Sequence, residues 1–497
     1  MKSCSPARAI AVLGSGSDVG KSLVTAGLCR LLTDAGLDVV PFKAQNMANQ
    51  AGVTPEGLEM PRAQILQAAA CRKAPHVDMG PVLMKPVNST GAQIVVLGKV
   101  VGEKSAREYF KDTAELSAIA LAALDRLRSQ HGTVVLEGAG SPVELNLWAR
   151  DYVNLRPAKH AGAALILVVD IHKGGVFAQA KGTLELLPPE DRGRVLGVVV
   201  NRFMGDLSLF EEGIPLLEEV CGAPVLAVLP HLEHGLDEED RPIRIPLNQS
   251  PENGKLHVGA LLSPRVSNTE DLAPLLCEPD VQLTWLTDPA LARIQDLLIL
   301  PGSKATIGDL AHHTVSGMAE AVREATANGA WVLGLCGGYQ MLGGELLDEA
   351  GSEGGPRAWP GLGLLPVKTI FRSEKLTTEN RCTSAWPEPG HALAGYEIHQ
   401  GRTEWLFEGG EPLAQGSGAE LGWRDHRACG SYLHGLLASD PWRCAFLNIV
   451  RQDRQLPTQP MHATDPMEAR LNRWAAHVKA HLRPRAWERI LAAARQS

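Results

Sequence analysis

Residues 14–22 read GSGSDVGKS, and this stretch decides the fold of the N-terminal half of the chain. An apolar run from Ala9 to Leu13 precedes it and is typical of a buried strand, whereas the residues after it, Leu23 to Leu32, have helical periodicity. A strand, a glycine-rich turn, Lys-Ser and a helix are the order of a phosphate-binding loop. The spacing is one residue longer than usual. A plain glycine-rich turn is the alternative interpretation, and the placement of Lys21 and Ser22 favours the phosphate loop.

The chemistry of this loop predicts an ATP site. Glycines let backbone N–H groups point at phosphate oxygens, and the positive end of the helix dipole adds to the attraction. Lys21 is expected to reach the terminal phosphates, and the Ser22 hydroxyl is expected to bind Mg²⁺. The loop residues predicted to bind the nucleotide are Gly16, Ser17, Asp18, Val19, Gly20, Lys21 and Ser22.

Polar side chains follow the other predicted strands of this half. The strands are predicted at 38–42, 133–136, 164–169 and 195–200, as continuous apolar runs typical of a parallel sheet buried on both faces. Ligands of such sheets bind beyond the carboxyl ends of the strands. Lys43 and Asn201 are therefore predicted nucleotide contacts, with Asn201 at the adenine edge, and Glu137 is the predicted Mg²⁺ partner. The alternative interpretation of any one of these residues, taken alone, is a capping residue at the end of a strand with no role in ligand binding.

The length of 497 residues suggests two or three domains. The predicted divisions are a phosphate-loop domain at 1–233, a linker at 234–255, a second α/β domain at 256–450 and a helical tail at 451–497. The linker is indicated by an acidic run followed by Pro, Asn and Gly. A long helix is also predicted at 108–130.

Composition excludes several classes of protein. The net charge of −8 argues against a general nucleic-acid binder. No apolar run reaches the eighteen or so residues that a membrane span needs, and the N-terminus does not have the pattern of a signal peptide. Nine scattered cysteines without a C-x-x-C pair argue against a disulfide framework and a zinc site. The sequence therefore predicts a cytoplasmic protein with no nucleic-acid or membrane partner. Monomer and homodimer both remain open.

The C-terminal half contains a predicted nucleophile. Gly334 to Gly338 form a G-x-C-x-G pattern after an apolar strand, the cysteine version of a turn that exposes a nucleophile, Cys336. His434 follows a short apolar segment and is the predicted acid and base. The Gly337 N–H and the loop at Gly302 and Ser303 are predicted to form an oxyanion hole. A lone cysteine is usually a small buried hydrophobic residue. The glycines on both sides of Cys336 favour a nucleophile here instead.

Seven motifs in order carry a resemblance to a known family: GSGSDVGKS, PFKAQNM, EGAGSPVELN, LPGSKAT, GLCGGYQ, GYEIHQG and SYLHG. The N-terminal half resembles the dethiobiotin synthetase-like phosphate-loop fold, and the C-terminal half resembles class I glutamine amidotransferase domains. Together they resemble the cobyric acid synthase family over nearly the whole chain. The predicted fold is accordingly α/β, with a parallel-sheet phosphate-loop domain and an α/β amidotransferase domain.

The resemblance implies an ATP- and glutamine-dependent ligase of cobalamin biosynthesis. It would amidate the b, d, e and g carboxylates of adenosylcobyrinic acid a,c-diamide to give adenosylcobyric acid, with ATP and Mg²⁺ as cofactors. Gln340 matches the family's glutamine-side position and Asp151 an acidic position near the corrinoid carboxylates. The GYEIH motif is expected at a substrate or domain contact.

One position departs from the broader amidotransferase pattern. Two residues after the catalytic His that pattern has Glu, and here Leu436 stands there, so a Cys–His dyad and a weak glutaminase in isolation are expected. Two alternatives stay open at this point. One is the sibling cobyrinic acid a,c-diamide synthase, which has the same two domains. The other is a regulatory phosphate-loop ATPase, although such proteins usually carry an early loop Lys and need no Cys336.

Overall fold

The computed structural model describes residues 8–86, 91–105, 113–236, 245–349, 351–353, 357–407, 410–416 and 421–495. The chain forms two compact units that are each assembled from separate stretches of sequence. Unit 1 comprises Met1–Ala48, Glu59–Arg241 and Asp465–Ser497. Unit 2 comprises Asn49–Leu58 and Pro242–Thr464. The chain therefore passes between the units four times.

Unit 1 is built on a six-stranded parallel sheet. In spatial order its strands are Val225–Pro230, Val195–Phe203, Ala164–Asp170, Arg8–Gly14, Thr133–Glu137 and Val39–Phe42. Successive side chains of the central strand enter two different cores: Ala9 and Ala11 lie in one, and Ile10 and Val12 in the other. The sheet is thus covered on both faces, which explains its continuous apolar strands.

Helices supply the two covering layers of unit 1. The α-helices are Lys21–Asp34, Arg62–Ala70, Thr113–Gln130, Leu155–His160, Val176–Leu186, Pro189–Arg192, Gly213–Cys221, Met467–Ala480 and Ala486–Ala494, with 3₁₀ turns at Val77–Met79, Trp148–Arg150 and Leu207–Phe210. A smaller sheet contains Asn46–Met47, Val82–Pro86, Gly91–Val96 and Lys99–Ser105, and Glu59–Pro61 is a further short strand.

The last two helices of the chain belong to the core of unit 1. Trp474 is buried among the residues of the phosphate-loop helix, and its Nε1 donates to the Leu23 carbonyl at 2.7 Å. The buried Arg30 guanidinium donates to both carboxylate oxygens of Glu468 at 2.7 Å each. The stretch 451–497, expected to be one tail, is therefore divided, because its apolar face completes a core that the N-terminal strand and helix leave open.

Unit 2 is built on a seven-stranded sheet whose first five strands are parallel. In spatial order they are Val281–Leu286, Leu256–Leu261, Leu297–Leu300, Trp331–Leu335, Ala428–Ser431, Trp423–Asp425 and Glu411–Pro412. Its α-helices are Pro289–Ala292, Thr306–Val315, Met318–Ala327, Gly337–Leu342 and Asp440–Asp453, with 3₁₀ turns at Thr269–Cys277 and Leu436–Ala438. Cores again cover both faces of this sheet.

A second sheet in unit 2 is dominated by one long antiparallel pair. Its strands are Arg357–Pro360, Glu345–Asp348, Val367–Ser384, Ala392–Trp405 and Ala414–Gln415, and the long pair is the third and fourth of these. Val266–Ser267 and Gly302–Ser303 form a separate short pair, and Ala51–Val53 is a further short strand.

The predicted α/β class of both domains and the parallel sheet of the phosphate-loop domain are confirmed. The helix predicted at 108–130 is observed as Thr113–Gln130, and its residues up to 112 lie outside the described residues. Residues 237–244 of the predicted linker also lie outside them, and the change of unit falls within that stretch, at 241 and 242. No helix in the described part of the chain is both long and apolar enough to cross a membrane.

Candidate functional site

The phosphate loop of unit 1 leaves the central strand and curls back over the start of its helix. Asp18 and Gly20 both have positive φ, 55° and 90°, and at position 20 a Cβ would lie 2.1 Å from the Asn201 amide nitrogen. Glycine is therefore required there. The Lys21 ammonium donates to the carbonyls of Gly16 at 2.8 Å and Gly140 at 3.2 Å, which holds the charge over the loop.

A buried polar cluster joins the loop to the neighbouring strand. The Glu137 carboxylate accepts from Ser22 Oγ at 2.7 Å, from Lys43 Nζ at 2.9 Å and from the Gln67 amide. Burial alone would raise the pKa of Glu137, but the Lys43 charge and these hydrogen bonds hold it below the ordinary value. Glu137 is therefore an ionised carboxylate beside a serine hydroxyl.

This donor set fits Mg²⁺ bound together with a nucleotide. Hard cations take carboxylate and hydroxyl oxygens, and Mg²⁺ completes its shell with water and phosphate rather than with a cage of protein ligands. A cavity of about 220 Å³ lies over the loop. Its lining includes the predicted nucleotide and metal residues Ser17, Asp18, Gly20, Lys21, Ser22, Lys43 and Glu137, and also Arg202.

Two predicted residues of unit 1 are engaged by the protein itself. Asn201 is buried and its amide donates to the Val19 carbonyl at 2.9 Å, so it supports the loop from below. Asp151 Oδ1 accepts from the backbone N–H groups of Val153 at 2.8 Å and Asn154 at 3.2 Å, which orders the turn before the next helix. Their roles toward adenine and corrinoid stay predictions.

The nucleophile elbow of unit 2 has the geometry that its glycine pattern predicts. Cys336 has φ 50° and ψ −107°, a strained conformation at the junction of a strand and a helix. A Cβ at Gly338 would lie 1.8 Å from the Leu300 carbonyl oxygen, so this position must be glycine for the turn to pack on the neighbouring strand. The Cys336 side chain is largely buried and its Sγ lies 3.8 Å from the Ile398 carbonyl.

The structure shows what orients His434. Its Nδ1 lies 2.7 Å from Asp271 Oδ2, and the Gly435 N–H donates to the other oxygen of that carboxylate at 2.8 Å. Burial alone would lower the pKa of His434, but the Asp271 charge and hydrogen bond, together with a hydrogen bond to Cys336, raise it well above the ordinary value. Cys336, His434 and Asp271 therefore form a continuous chain.

The expected dyad thus has a third member, supplied by a different element from the one that usually carries it. Leu436, which stands at the usual Glu position, is buried in the core of unit 2. Asp271 lies instead in the 3₁₀ turn Thr269–Cys277, 163 residues before His434. No local motif in the sequence connects the two residues, so sequence reasoning missed Asp271.

The remaining predicted residues of unit 2 lie around the elbow. A Cβ at Gly337 would lie 2.7 Å from the Ser303 nitrogen, and one at Gly302 would lie 3.6 Å from His434 Cε1. The loop at 302–303 therefore lies beside Gly337, which follows the predicted nucleophile, and beside the predicted base His434. The Ser303 hydroxyl donates to Asp309 at 2.6 Å, which leaves its backbone N–H as the group suited to an oxyanion.

Gln340 is buried beneath the elbow and does not present a free amide. Its Oε1 accepts from Thr306 Oγ1 at 2.9 Å, and its Nε2 donates to the Tyr432 hydroxyl at 3.1 Å. Its position supports the wall of the site, and a direct contact with glutamine stays a prediction. Gln67 and Tyr432 were missed from the sequence. Arg202 was also missed, although it directly follows the predicted Asn201.

Two family models match the chain. Residues 10–242 match the CobQ/CobB/MinD/ParA nucleotide binding domain, and residues 257–442 match the CobB/CobQ-like glutamine amidotransferase domain. The first model covers the phosphate loop and its polar cluster, and the second covers the elbow, Asp271 and His434.

Curated relatives match over almost their whole length. A cobyric acid synthase of Chlorobaculum tepidum is 46% identical over 92% of this chain and 94% of the relative. Cobyric acid synthases of two strains of Chlorobium phaeobacteroides are 46% identical over 89% of the chain and 90% of the relative, and 44% identical over 96% and 97%. These relatives favour the cobyric acid synthases over the sibling diamide synthases and over partitioning ATPases.

Proposed function

Because the chain belongs to the cobyric acid synthase family, enzymes of cobalamin biosynthesis with a nucleotide-binding and a glutamine amidotransferase domain, we propose that it amidates the b, d, e and g carboxylates of adenosylcobyrinic acid a,c-diamide. Glutamine is the proposed source of ammonia and ATP the proposed source of energy. The observation that carries the proposal is the chain from Cys336 through His434 to Asp271 in a protein that also has a phosphate loop. The reaction is expected in the cytoplasm.

In unit 2 the proposed step is hydrolysis of the glutamine amide. Cys336 Sγ gives its proton to His434 and attacks the amide carbon, and the oxyanion forms against the backbone N–H groups of Gly337 and Ser303. His434 then gives a proton to the departing ammonia, which leaves a thioester on Cys336. Water, deprotonated by His434, attacks the thioester and releases glutamate. Asp271 keeps the imidazole in the orientation that both proton transfers need.

In unit 1 the proposed step is activation of a corrinoid carboxylate. A carboxylate is a poor electrophile because it would have to lose oxide. Transfer of the ATP γ-phosphoryl group to its oxygen makes an acyl phosphate and ADP, and ammonia then displaces inorganic phosphate to give the amide. Lys21 and Lys43 would hold the phosphates through charge. Ser22 and Glu137 would hold Mg²⁺, and the ion would neutralise part of the negative charge of the phosphates.

Replacement of the nucleophile tests the proposal. Cys336→Ala is expected to abolish synthesis with glutamine as the donor and to leave synthesis with ammonium chloride at the wild-type rate, because unit 1 needs only free ammonia. Mass analysis of the corrinoid product should show four successive amidations of the a,c-diamide. Glutamine-dependent synthesis by the variant would remove Cys336 from the mechanism, and amidation of cobyrinic acid to the a,c-diamide would favour the sibling reaction.

A further inference from the structure

The carboxylate and the imidazole of the glutaminase site lie on two separate elements of unit 2. Asp271 belongs to the 3₁₀ turn Thr269–Cys277, and His434 lies two residues before the 3₁₀ turn Leu436–Ala438. Ladders of backbone hydrogen bonds keep neighbouring strands in register, but two turns of this kind need side chains to fix their distance. The contact between Asp271 and His434 therefore depends on the side chains that connect the two turns.

The Arg443 side chain connects these turns. Its Nε donates to Glu278 Oε1 at 2.8 Å, and Glu278 directly follows the turn that carries Asp271. Its Nη1 donates to the Leu437 carbonyl at 2.9 Å, within the turn that follows His434. One planar guanidinium is thus bonded to both turns, and its rigid fork fixes the distance between them.

The burial of this ion pair indicates a role other than stability. The Arg443 side chain is fully buried and that of Glu278 is 1% exposed. Arg443 also donates to Asp440 Oδ1 at 2.9 Å and to the His462 carbonyl at 2.6 Å. Removal of charges from water costs several kcal/mol per ion, and an apolar pair of similar size often stabilises a fold as well or better. The geometry that the pair fixes therefore explains it better than the stability it adds.

A second buried arginine on the same helix provides a comparison. Arg451 is also fully buried, and it donates to Glu278 Oε2 at 3.2 Å and to Asp280 Oδ2 at 2.9 Å. It also donates to Asn448 on its own helix at 2.9 Å. Among the described residues it makes no hydrogen bond to the turn Leu436–Ala438. Arg451 thus shares the carboxylate of Arg443 but not its connection to the histidine side of the site.

We propose that Arg443 is a positioning residue for glutamine hydrolysis. It holds the turn of Asp271 against the turn that follows His434, and it acts through both turns rather than on the substrate. This inference rests on the proposed function. Both proton transfers of His434 need hydrogen-bond distances, so a small displacement of the carboxylate that orients the imidazole lowers the rate.

The test is Arg443→Lys in the full-length protein, measured by glutamate release with all the proposed substrates present. Lys keeps the charge but has no planar fork, so it cannot bond to Glu278 and to the Leu437 carbonyl in the same geometry. The kcat for glutamine hydrolysis should fall about tenfold, the size of one weakened hydrogen bond to a charged group, and KM for glutamine should change little. Ammonia-dependent synthesis should equal that of the wild type.

Two readouts separate positioning from a general loss of stability. The groups that contact His434 include Asp271, Cys336 and the ring of Tyr396. Of these, Asp271 lies on the turn that Arg443 holds, so Arg443→Lys should move the fall of the rate at low pH in the same direction as Asp271→Asn. The losses should also not add. In the Asp271→Asn protein the further change Arg443→Lys should leave kcat where it is, because the contact that it positions is already lost.

Arg451→Lys is the matched control, because it disturbs the same carboxylate and the same helix without touching the turn after His434. It should lower the midpoint of urea unfolding by an amount similar to Arg443→Lys and keep the wild-type kcat and pH profile. Glu278→Gln is a second variant that does not depend on the folding of Arg443→Lys. Gln keeps the shape of the side chain and removes the charge that Arg443 binds, so kcat should again fall.

Three results would overturn the inference. They are a wild-type kcat in both Arg443→Lys and Glu278→Gln, equal losses of kcat in Arg443→Lys and Arg451→Lys, and a further fall of kcat when Arg443→Lys is added to Asp271→Asn. Loss of the folded protein in both Arg443→Lys and Glu278→Gln would also overturn it, since the cluster would then serve stability alone. In all these cases the wild type still releases glutamate and the proposed function survives. A wild-type protein that releases no glutamate would refute the proposed function as well.

Discussion

Replacement of Asp271 by Asn removes the charge beside His434 and keeps the shape of the side chain. The carboxylate is buried and 2.7 Å from the imidazole nitrogen. With a charge separation of about 4 Å and an effective dielectric constant of about 20, the lost attraction to a protonated His434 is about 4 kcal/mol. At 1.36 kcal/mol per power of ten, kcat for glutamine hydrolysis should fall about a thousandfold. KM for glutamine should change little, because Asp271 contacts no part of the proposed substrate site.

The pH dependence provides an independent measure of the same pair. Without the carboxylate, burial is the dominant influence on His434, so its pKa should fall from well above to below the ordinary value. The rate of glutamine hydrolysis falls at low pH when His434 becomes protonated, and in the variant this fall should occur at a lower pH. The assay is glutamate release from pH 5 to 9, with ammonia-dependent synthesis as the internal check that unit 1 is intact.

Asp288→Asn is the matched control, since Asp288 is an exposed helix cap in the same unit. Its kcat for glutamine hydrolysis should equal that of the wild type. If Asp271→Asn kept more than about a tenth of the wild-type kcat, the electrostatic role of Asp271 would be refuted. Equal thermal unfolding of the two variants would show that the loss is catalytic.

Three further changes test other parts of the structure. Glu137→Gln removes the charge beside Ser22 that is proposed to hold Mg²⁺, and ATP turnover should fall by about a hundredfold with a higher Mg²⁺ requirement, measured by ADP release. Burial raises the pKa of Glu353 from its ordinary 4.5 to about 7. The folded protein therefore binds this proton more tightly than the unfolded chain, and the resulting stability, present below pH 4.5, is lost as the pH rises through 7. The free energy of unfolding of the wild type should fall by about 1 kcal/mol between pH 6 and 8, measured by urea unfolding, and Glu353→Gln should not show this fall. A variant with the pH dependence of the wild type would contradict the assignment. Trp474→Ala should lower the stability of unit 1 by about 3–5 kcal/mol, because it opens a cavity and removes the indole hydrogen bond to the Leu23 carbonyl, and a denaturant midpoint equal to that of the wild type would contradict this packing.

Local patterns predicted the framework of both units well. The parallel strands were predicted because a sheet covered on both faces requires continuous apolar runs. The helix after the phosphate loop, predicted at 23–32 from its periodicity, is observed as Lys21–Asp34. The Cys336 elbow was predictable for the same kind of reason. Its glycines are required by backbone contacts within a few residues and one neighbouring strand, so the constraint is written into a short motif.

Contacts between distant parts of the chain were not predictable in this way. Asp271 is one acidic residue among many, and only the folded chain brings it to His434. The amphipathic pattern around Trp474 predicts a helix with one buried face but does not say which unit covers that face. The same holds for Asn49–Leu58, whose composition gives no sign that it leaves unit 1.

The return of the last helices to unit 1 determines when the protein can finish folding. A chain grows from its N-terminus, and domains generally fold as units during synthesis. Here the nucleotide-binding unit waits for Asp465–Ser497, so its core closes only after the whole of unit 2 has been translated. A chain that stops near residue 242 lacks Trp474 and exposes the apolar surface of the phosphate-loop helix. Division of the gene into two separate polypeptides, one for each unit, would therefore need a rearrangement of its order, and a prematurely terminated chain would not form a stable nucleotide-binding unit.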